Sequence, residues 1–454
     1  MQSKAEVPGA IPTLSPSFPG PVFMRGFIVL YFLLLPFLKF GIPVGSFRIV
    51  PADFAFVLAF LISLPGLISD IASRRPVLDR SFFWFGACWA VLFAAAVLSL
   101  VVNRADFTCW LNLLPLIYSG GLIVLFGKGL TSGAPGLDRW LRHGLAFSIM
   151  AISVSSSLPQ SLFPGWHDIV FKFGKFVFFT SNPNQISIMV LVFFSLLTFL
   201  RSDRSGIVPV YDAVLPALFL NIVLWSGSRI AFFSAGLILA AYYLIVLPDV
   251  FTRDRASKIR NSVRMLISIC LIVLVFFYHF GIVKDQTSFR SVSGLYSVLA
   301  RAAHLPADKL ETGFNAHESM NAAVGIRKEL NGLAVSCFLS HPLTGIGLGM
   351  FNGNYHHFEV HNTILGVAAE TGLAGLAGLA LIAGYLIYIL TIAVIRRPRK
   401  LAVAPLILIA LLLPHWFHNL LRERWVWLFF IFFIYFAIRD ADGLTDGGKS
   451  SLNK

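Results

Sequence analysis

Apolar residues along this chain fall in twelve blocks, near 26–38, 51–69, 81–102, 109–127, 143–160, 186–200, 213–225, 229–247, 265–283, 373–395, 402–418 and 425–438. An α-helix needs about 20 such residues to cross a hydrocarbon core of roughly 30 Å. The pattern therefore predicts an all-α, polytopic integral membrane protein with about twelve transmembrane helices, of which the first, seventh and last are short. The connection 39–50, with Pro43 and Gly45, is apolar enough to be partly embedded. One polar segment stands out: 284–361, a mixed-charge loop in which 293–305 and 322–339 have the apolar spacing of short amphipathic helices. The expected organisation is a tail at 1–25, helices 1–9 over 26–283, the large loop at 284–361, helices 10–12 over 362–438, and a tail at 439–454.

Composition agrees with that class, since 57% of residues are hydrophobic and 13% charged, with 44 phenylalanines. Charge adds orientation. With the N-terminus inside, alternate connections hold Lys4 and Arg25, Arg74–Arg80, Lys128–Arg142, Arg201–Arg204, Arg253–Arg264, Arg396–Lys400 and Arg439–Lys454, together 22 of the 36 basic residues. Basic residues concentrate on the cytoplasmic side of membrane proteins. Both tails are thus expected in the cytoplasm and 284–361 outside it. The net charge of +14 follows from this topology and gives no support to a nucleic-acid partner. The first 25 residues are rich in Pro and Ser without an apolar core, so the first span is expected to act as its own insertion signal.

From Asn362 to Ile395 the chain is apolar for 34 residues, about 51 Å as one helix, which overshoots the bilayer. Counting back from Arg396 places the start of the span near Gly372, and leaves 362–371 as an external or cavity-facing lead-in. Glu370 then lies near the outer boundary, where a carboxylate is tolerated. Gly372, Gly375 and Gly378 make a small-residue face for close helix packing. Just upstream, His341-Pro342-Leu343-Thr344-Gly345-Ile346-Gly347-Leu348-Gly349 cannot continue a helix, and reads equally as an ordered rim or a flexible connector. His361 sits where the polar loop meets the apolar run, a place where a histidine readily takes up chemistry.

Two further features point at anions. Trp225-Ser226-Gly227-Ser228-Arg229 is a tight turn, and Arg229 opens the eighth span with no acid beside it in sequence. A cation there opposes the positive end of the helix dipole, while helix N-terminal amides with an arginine make a good phosphate receptor. Ser181-Asn182-Pro183-Asn184-Gln185 opens the sixth span, with Lys172 and Lys175 upstream. Asn182 or Asn184 caps that helix, or the two amides and lysines bind a sugar or phosphate.

Other signals exclude. Cys88, Cys109, Cys270 and Cys337 show no metal-type spacing, and a Cys109–Cys337 disulfide has no support in the sequence. Asp440-Ala441-Asp442 lies in a Gly/Ser/Asp-rich tail rather than a metal-nucleotide site. No phosphate-binding glycine loop followed by Lys-Ser/Thr occurs, which argues against an ATP-driven pump.

Asn182-Pro183-Asn184-Gln185, Ser226-Gly227-Ser228-Arg229, Arg327, His341 to Gly347, His361-Asn362 and Glu370-Thr371-Gly372-Leu373-Ala374-Gly375 occur in an order and spacing that resemble the O-antigen ligase/polymerase superfamily of bacterial envelope proteins. The resemblance covers about 180–395 by motif. It implies glycosyl transfer without metal or other cofactor, on the periplasmic face of the inner membrane. The donor it implies is an undecaprenyl-pyrophosphate-linked glycan, and the acceptor a saccharide hydroxyl of lipid A-core or a growing polymer. His361 is then the general base, and Arg229 and Arg327 are the cations for the pyrophosphate. Arg290, Arg301, Asn182, Asn184, Lys172, Lys175, Glu370 and His418 are the remaining substrate-binding candidates, with His415 and Arg422 beside them. Where the ligase branch carries a loop arginine with leucine four residues on, Arg327 is followed by Asn331 and Arg301 by Leu305. The competing class is a lipid-linked oligosaccharide flippase or other multi-pass transporter, which would place ionisable groups on discontinuous helices near the midplane.

Overall fold

The computed structural model describes residues 21–44, 47–131, 137–158, 170–172, 175–180, 182–201, 211–251, 255–285, 316–352, 360, 362–396, 403–416 and 423–442. Its helices are α1 (Pro21–Leu34), α2 (Pro51–Ala72), α3 (Arg80–Val102), α4 (Phe107–Trp110), α5 (Leu114–Thr131), α6 (Leu137–Ser157), α7 (Pro183–Arg201), α8 (Tyr211–Ser226), α9 (Arg229–Val250), α10 (Arg255–Asp285), α11 (Ala316–Ser340), α12 (Thr363–Arg396), α13 (Ala404–Leu412) and α14 (Arg424–Asp442). Two short antiparallel hairpins accompany them, β1 (Ile42–Val44) with β2 (Phe47–Ile49), and β3 (Phe171–Lys172) with β4 (Lys175–Phe176).

Every predicted apolar block has a helix. Among the described residues seven helical spans are long and apolar enough to cross a membrane, and three shorter apolar helices accompany them. Boundaries moved for local reasons. The first helix runs 21–34 rather than 26–38, because Pro21 suits a helix start and Pro36 bars the residue before it from helical backbone. The ninth, α10, begins ten residues before its apolar block, since its basic stretch from Arg255 to Arg264 is helical as well. The helix expected at 322–339 is Ala316–Ser340, stopped by Pro342. Of the large loop, 286–315 and 353–359 lie outside the described residues, and so does the helix expected at 293–305.

Position in the bundle follows from how the apolar residues are distributed around each helix. In α14, Trp425 to Ile434 are all buried, and α7 is buried through most of its length. A helix that is apolar all round is either enclosed by other helices, as these two are, or faces lipid. Phe32 packs edge-on against Phe193 of α7 and against Phe432 of α14, which also meets Phe126 of α5. By contrast α10 is exposed along nearly all its span, with Leu266, Leu274 and Phe277 at the surface. In a membrane such side chains meet acyl chains.

Hydrogen bonds fix which helix ends lie together. Lys39 N–H donates to Phe179 O at 2.6 Å, Gln185 Nε2 to Glu423 Oε1 at 3.0 Å and Asn103 Nδ2 to Gly345 O at 3.0 Å. These gather both hairpins, the 341–352 segment and the starts of α7, α12 and α14 at one end, called here the loop end. At the opposite end Lys128 pairs with Asp70 and Arg142 with Asp212, while Tyr242 Oη donates to Asp212 O.

Candidate functional site

The long apolar run does break where its length predicted. Gly372 interrupts α12 with φ 63° and ψ −156°, a backbone region that only glycine adopts readily. In a continuous helix Leu373 and Ala374 would donate to Ala369 and Glu370. Here the segment after α11 inserts between them. Ile346 N–H donates to Ala369 O at 2.9 Å and Gly347 N–H to Glu370 O at 3.1 Å, while Leu373 donates to Pro342 O at 2.8 Å and Ala374 to Leu343 O at 3.2 Å. The four backbone groups of those two bonds are thereby satisfied. From α3, Ser99 Oγ also donates to Glu370 O at 2.6 Å, and Asn103 reaches Gly345 O.

This seam decides the readings left open in the sequence. The 341–349 segment is an ordered rim. Gly345, at φ +67°, lies so close that a Cβ would collide with the Glu370–Thr371 peptide, and one on Gly372 would sit 2.5 Å from the Leu343 carbonyl carbon. Gly372 is therefore a junction glycine, not part of a packing face. The packing reading holds for Gly378, where a Cβ would meet the Leu92 backbone of α3 at 2.6 Å. The lead-in expected at 362–371, external or cavity-facing, is a helix packed inward. Thr363 to Thr371 is helical, and Val367 to Thr371 are buried, because the break lets this half-helix pack inward. Glu370 accordingly is 7% exposed, and it has an interaction partner.

Around the seam lies a second, small core of Leu330, Ala334, Cys337, Ile346, Phe351, Val360 and Ala369. It ties α11 to the first half of α12. Arg327 is exposed on α11, one turn before Leu330. His361 lies outside the described residues, but both neighbours are buried: Val360 in this core, and Asn362, whose Oδ1 accepts Leu365 N–H at 3.0 Å and caps α12. Arg290, Arg301, His418 and Arg422 also lie outside the described residues. His415 falls in the 3₁₀ turn Leu413–Trp416 that follows α13.

The turn before α9 is built as expected. Gly227 takes φ 62°, Ser228 is the N-cap residue and Arg229 the first residue of the helix, exposed at the surface. Arg229 has an interaction partner, which corrects the expectation drawn from the absence of a sequence-adjacent acid. Asn182 is the cap of α7, its Oδ1 accepting Asn184 N–H at 2.8 Å and Gln185 N–H at 3.1 Å. Asn184 is half-buried in the first turn. Lys172 and Lys175 occupy opposed positions of the β3–β4 hairpin. An aromatic chain joins the hairpin to both sides. Trp225 meets Phe171 at 5.6 Å, Phe171 meets Phe176, and Phe178 and Phe179 continue to Phe37.

Two groups escaped the sequence reading. Asp53 is held by Arg424 in a bidentate pair, Nε to Oδ1 at 2.7 Å and Nη2 to Oδ2 at 2.6 Å, and it also accepts Val50 N–H. Arg424 further donates to Arg48 O at 2.5 Å and lies over the Tyr118 ring. His279, 2% exposed, bonds Asn221. An ionisable residue inside an apolar block, or at its edge as Arg424 is, is the signal that marks all three positions. Among the described residues no group of His, Cys, Asp and Glu could hold a metal ion, and the four cysteines are free thiols.

Residues 214–380 match the family described as O-antigen ligase. The matched stretch runs from α8 through the Arg229 turn, Arg327 and the seam into α12, and it supports the superfamily resemblance carried by the motifs. No curated protein matches the chain. The apolar helices and this family together indicate a multi-pass membrane protein with a role in O-antigen ligation or polymerisation.

Proposed function

With the O-antigen ligase pattern over 214–380 as premise, we propose that the chain is a glycosyltransferase of the bacterial inner membrane whose loop end faces the periplasm. It takes glycan from an undecaprenyl-pyrophosphate carrier and passes it to an acceptor hydroxyl. The acceptor oxygen attacks the anomeric carbon, the bond to the pyrophosphate oxygen breaks, and the hydroxyl proton passes to His361 as general base. Arg229 and Arg327 neutralise the departing pyrophosphate, a task that suits guanidinium geometry. Asn184, Lys172, Lys175 and Glu370, with Arg290, Arg301 and His418, are proposed to line the substrate path. Asn182 contributes by capping α7.

The seam is the observation that carries this reading. It joins α11, which bears Arg327, to the half-helix whose first residue, Thr363, comes two positions after His361 in the sequence, which supports a shared role for these two segments. The transporter alternative draws on the same broken helix, because discontinuous helices coordinate cargo with freed backbone groups. In this chain four of those groups, Ala369 O, Glu370 O, Leu373 N–H and Ala374 N–H, are engaged by 342–347.

Purified His361 and Arg229 variants assayed with lipid-linked donor test the proposal. His361→Ala is expected to lose at least ~100-fold in turnover with donor binding kept, and His361→Asn to be nearly as poor. Arg229→Ala should abolish product while the protein still inserts, with little rescue by lysine, which lacks the bidentate fork. Near-normal transfer by the asparagine variant would remove His361 as base, and full activity of the alanine variant would remove Arg229. A deletion strain separates the branches: lipid-linked polymer without transfer to lipid A-core marks a ligase, and single repeat units without long chains mark a polymerase.

A further inference from the structure

His279 stands in an apolar helix, 2% exposed, with Nε2 2.9 Å from Asn221 Oδ1 of α8. The network around it fixes the direction of each bond. Ser156 and Ser157 of α6 spend their hydroxyl protons on Ser153 O, at 2.7 and 3.2 Å. Their oxygens are left to accept, and Asn221 Nδ2 donates to Ser156 Oγ at 3.0 Å and Ser157 Oγ at 3.4 Å. The amide nitrogen therefore faces the serines and the amide oxygen faces His279. An amide oxygen only accepts. His279 must carry its proton on Nε2.

One helical turn after Asn221, on the same face of α8, the Trp225 ring packs edge-on against the His279 ring at 4.8 Å. The next residues are Ser226, whose Oγ accepts Ser228 N–H at 3.3 Å, and then Arg229. A continuous set of contacts thus runs from α6 through Asn221 and His279 to the turn that opens α9. An apolar residue would fill the space without the cost of burying a polar ring. What histidine adds is a donor of fixed direction at one point on α8, one turn before its last.

We propose that His279 is a positioning residue that holds the 226–229 turn in place by donating to Asn221 and buttressing Trp225. The inference rests on the reading of Arg229 as a contact for the donor pyrophosphate. Glutamine at 279 places an N–H donor where Nε2 now lies, whereas phenylalanine keeps the ring and loses the donor, leaving Asn221 Oδ1 buried without one.

Two readouts test it on the full-length protein in lipid nanodiscs. The first, amide hydrogen exchange over 224–232, does not depend on activity. His279→Phe is expected to exchange about tenfold faster there, the factor corresponding to ~1.4 kcal/mol, with His279→Gln at the wild-type rate. The second is turnover of lipid-linked donor, where the phenylalanine variant should raise KM about tenfold with a smaller change in kcat and an unshifted pH profile. If phenylalanine matches wild type in exchange, His279 is a spacer and the proposal fails. If glutamine is as poor as phenylalanine in turnover and the pH profile shifts, His279 carries a proton instead. If exchange behaves as expected while Arg229→Ala remains fully active, positioning stands and the role given to Arg229 falls. Should His279→Phe not accumulate, His279→Phe with Asn221→Leu removes both polar partners and must show the same faster exchange.

Discussion

At the end opposite the loops, helices are joined by side-chain ion pairs, Lys128 with Asp70 and Arg142 with Asp212. At the loop end the joints run mainly through backbone: four amide bonds lace 342–347 into the break of α12, and Asn103 and Ser99 add bonds to carbonyls of the same seam. A long side chain can follow a helix that slides by an ångström or more. A backbone bond cannot, since it weakens steeply once distance and angle depart from their narrow range. The loop end is therefore the one whose register is fixed, which is where the proposed chemistry requires fixed geometry.

The largest effect should come from breaking the seam. Gly372→Ala puts a Cβ against the Leu343 carbonyl and forces alanine into backbone space that only glycine adopts readily. Strain of about 1–3 kcal/mol, together with weakened seam bonds at roughly 1 kcal/mol each, should release α11 from α12. Protease accessibility of 316–352 and loss of transfer check this. Wild-type protection with wild-type activity would mean that the seam positions nothing.

Next comes an ion pair of the loop end that is buried on both sides, Asp53 with Arg424. Removing one partner of such a pair costs about 3–5 kcal/mol because the other charge is left stranded, whereas replacing both by apolar residues is often nearly neutral. Arg424→Leu should lower the melting temperature sharply, and Arg424→Leu with Asp53→Leu should recover most of the loss. If the double variant keeps its stability but loses transfer, the pair serves geometry at this end. If it keeps both, the contrast with the opposite end weakens.

How much of this was legible follows from what each joint is made of. Helices, the break near Gly372, the Asn182 cap and the 226–229 turn each rest on local patterns of apolarity, glycine or capping residues, and all of them lay open in the sequence. The seam did not, because backbone amides carry no residue-type signal, and a glycine tightened against Leu343 reads the same as one packed against a helix. Asp53 and Arg424 lie 371 positions apart, so each looks like an isolated boundary charge. His279 sat inside an apolar block, where hydropathy averages conceal a single ring.

A smaller effect is expected at the opposite end. Lys128 and Asp70 keep side-chain exposures of 15% and 19%, so the pair is less fully desolvated than Asp53 with Arg424, and losing one partner strands less charge. Lys128→Met should leave transfer at the wild-type rate and shift the melting temperature slightly. A loss of activity comparable to that of the seam variant would show that both ends are fixed with equal strictness.

The smallest effect concerns Asp106, an exposed carboxylate at the N-terminus of α4. Its side chain accepts Cys109 N–H at 2.9 Å and the Thr108 hydroxyl at 2.7 Å, and the backbone bond from Cys109 is the chief cause that holds its pKa below the usual value. A group whose folded value is depressed stabilises above its unfolded value, near 3.9, and that contribution fades as pH falls through the folded value. Asp106→Asn has no such dependence. Wild type should therefore be slightly the more stable at pH 6, and the gap in melting temperature should close as pH drops toward 3. A gap that stays constant over that range would mean that the cap does not depend on the charge, and that even the exposed part of the loop end is held by hydrogen bonds indifferent to ionisation.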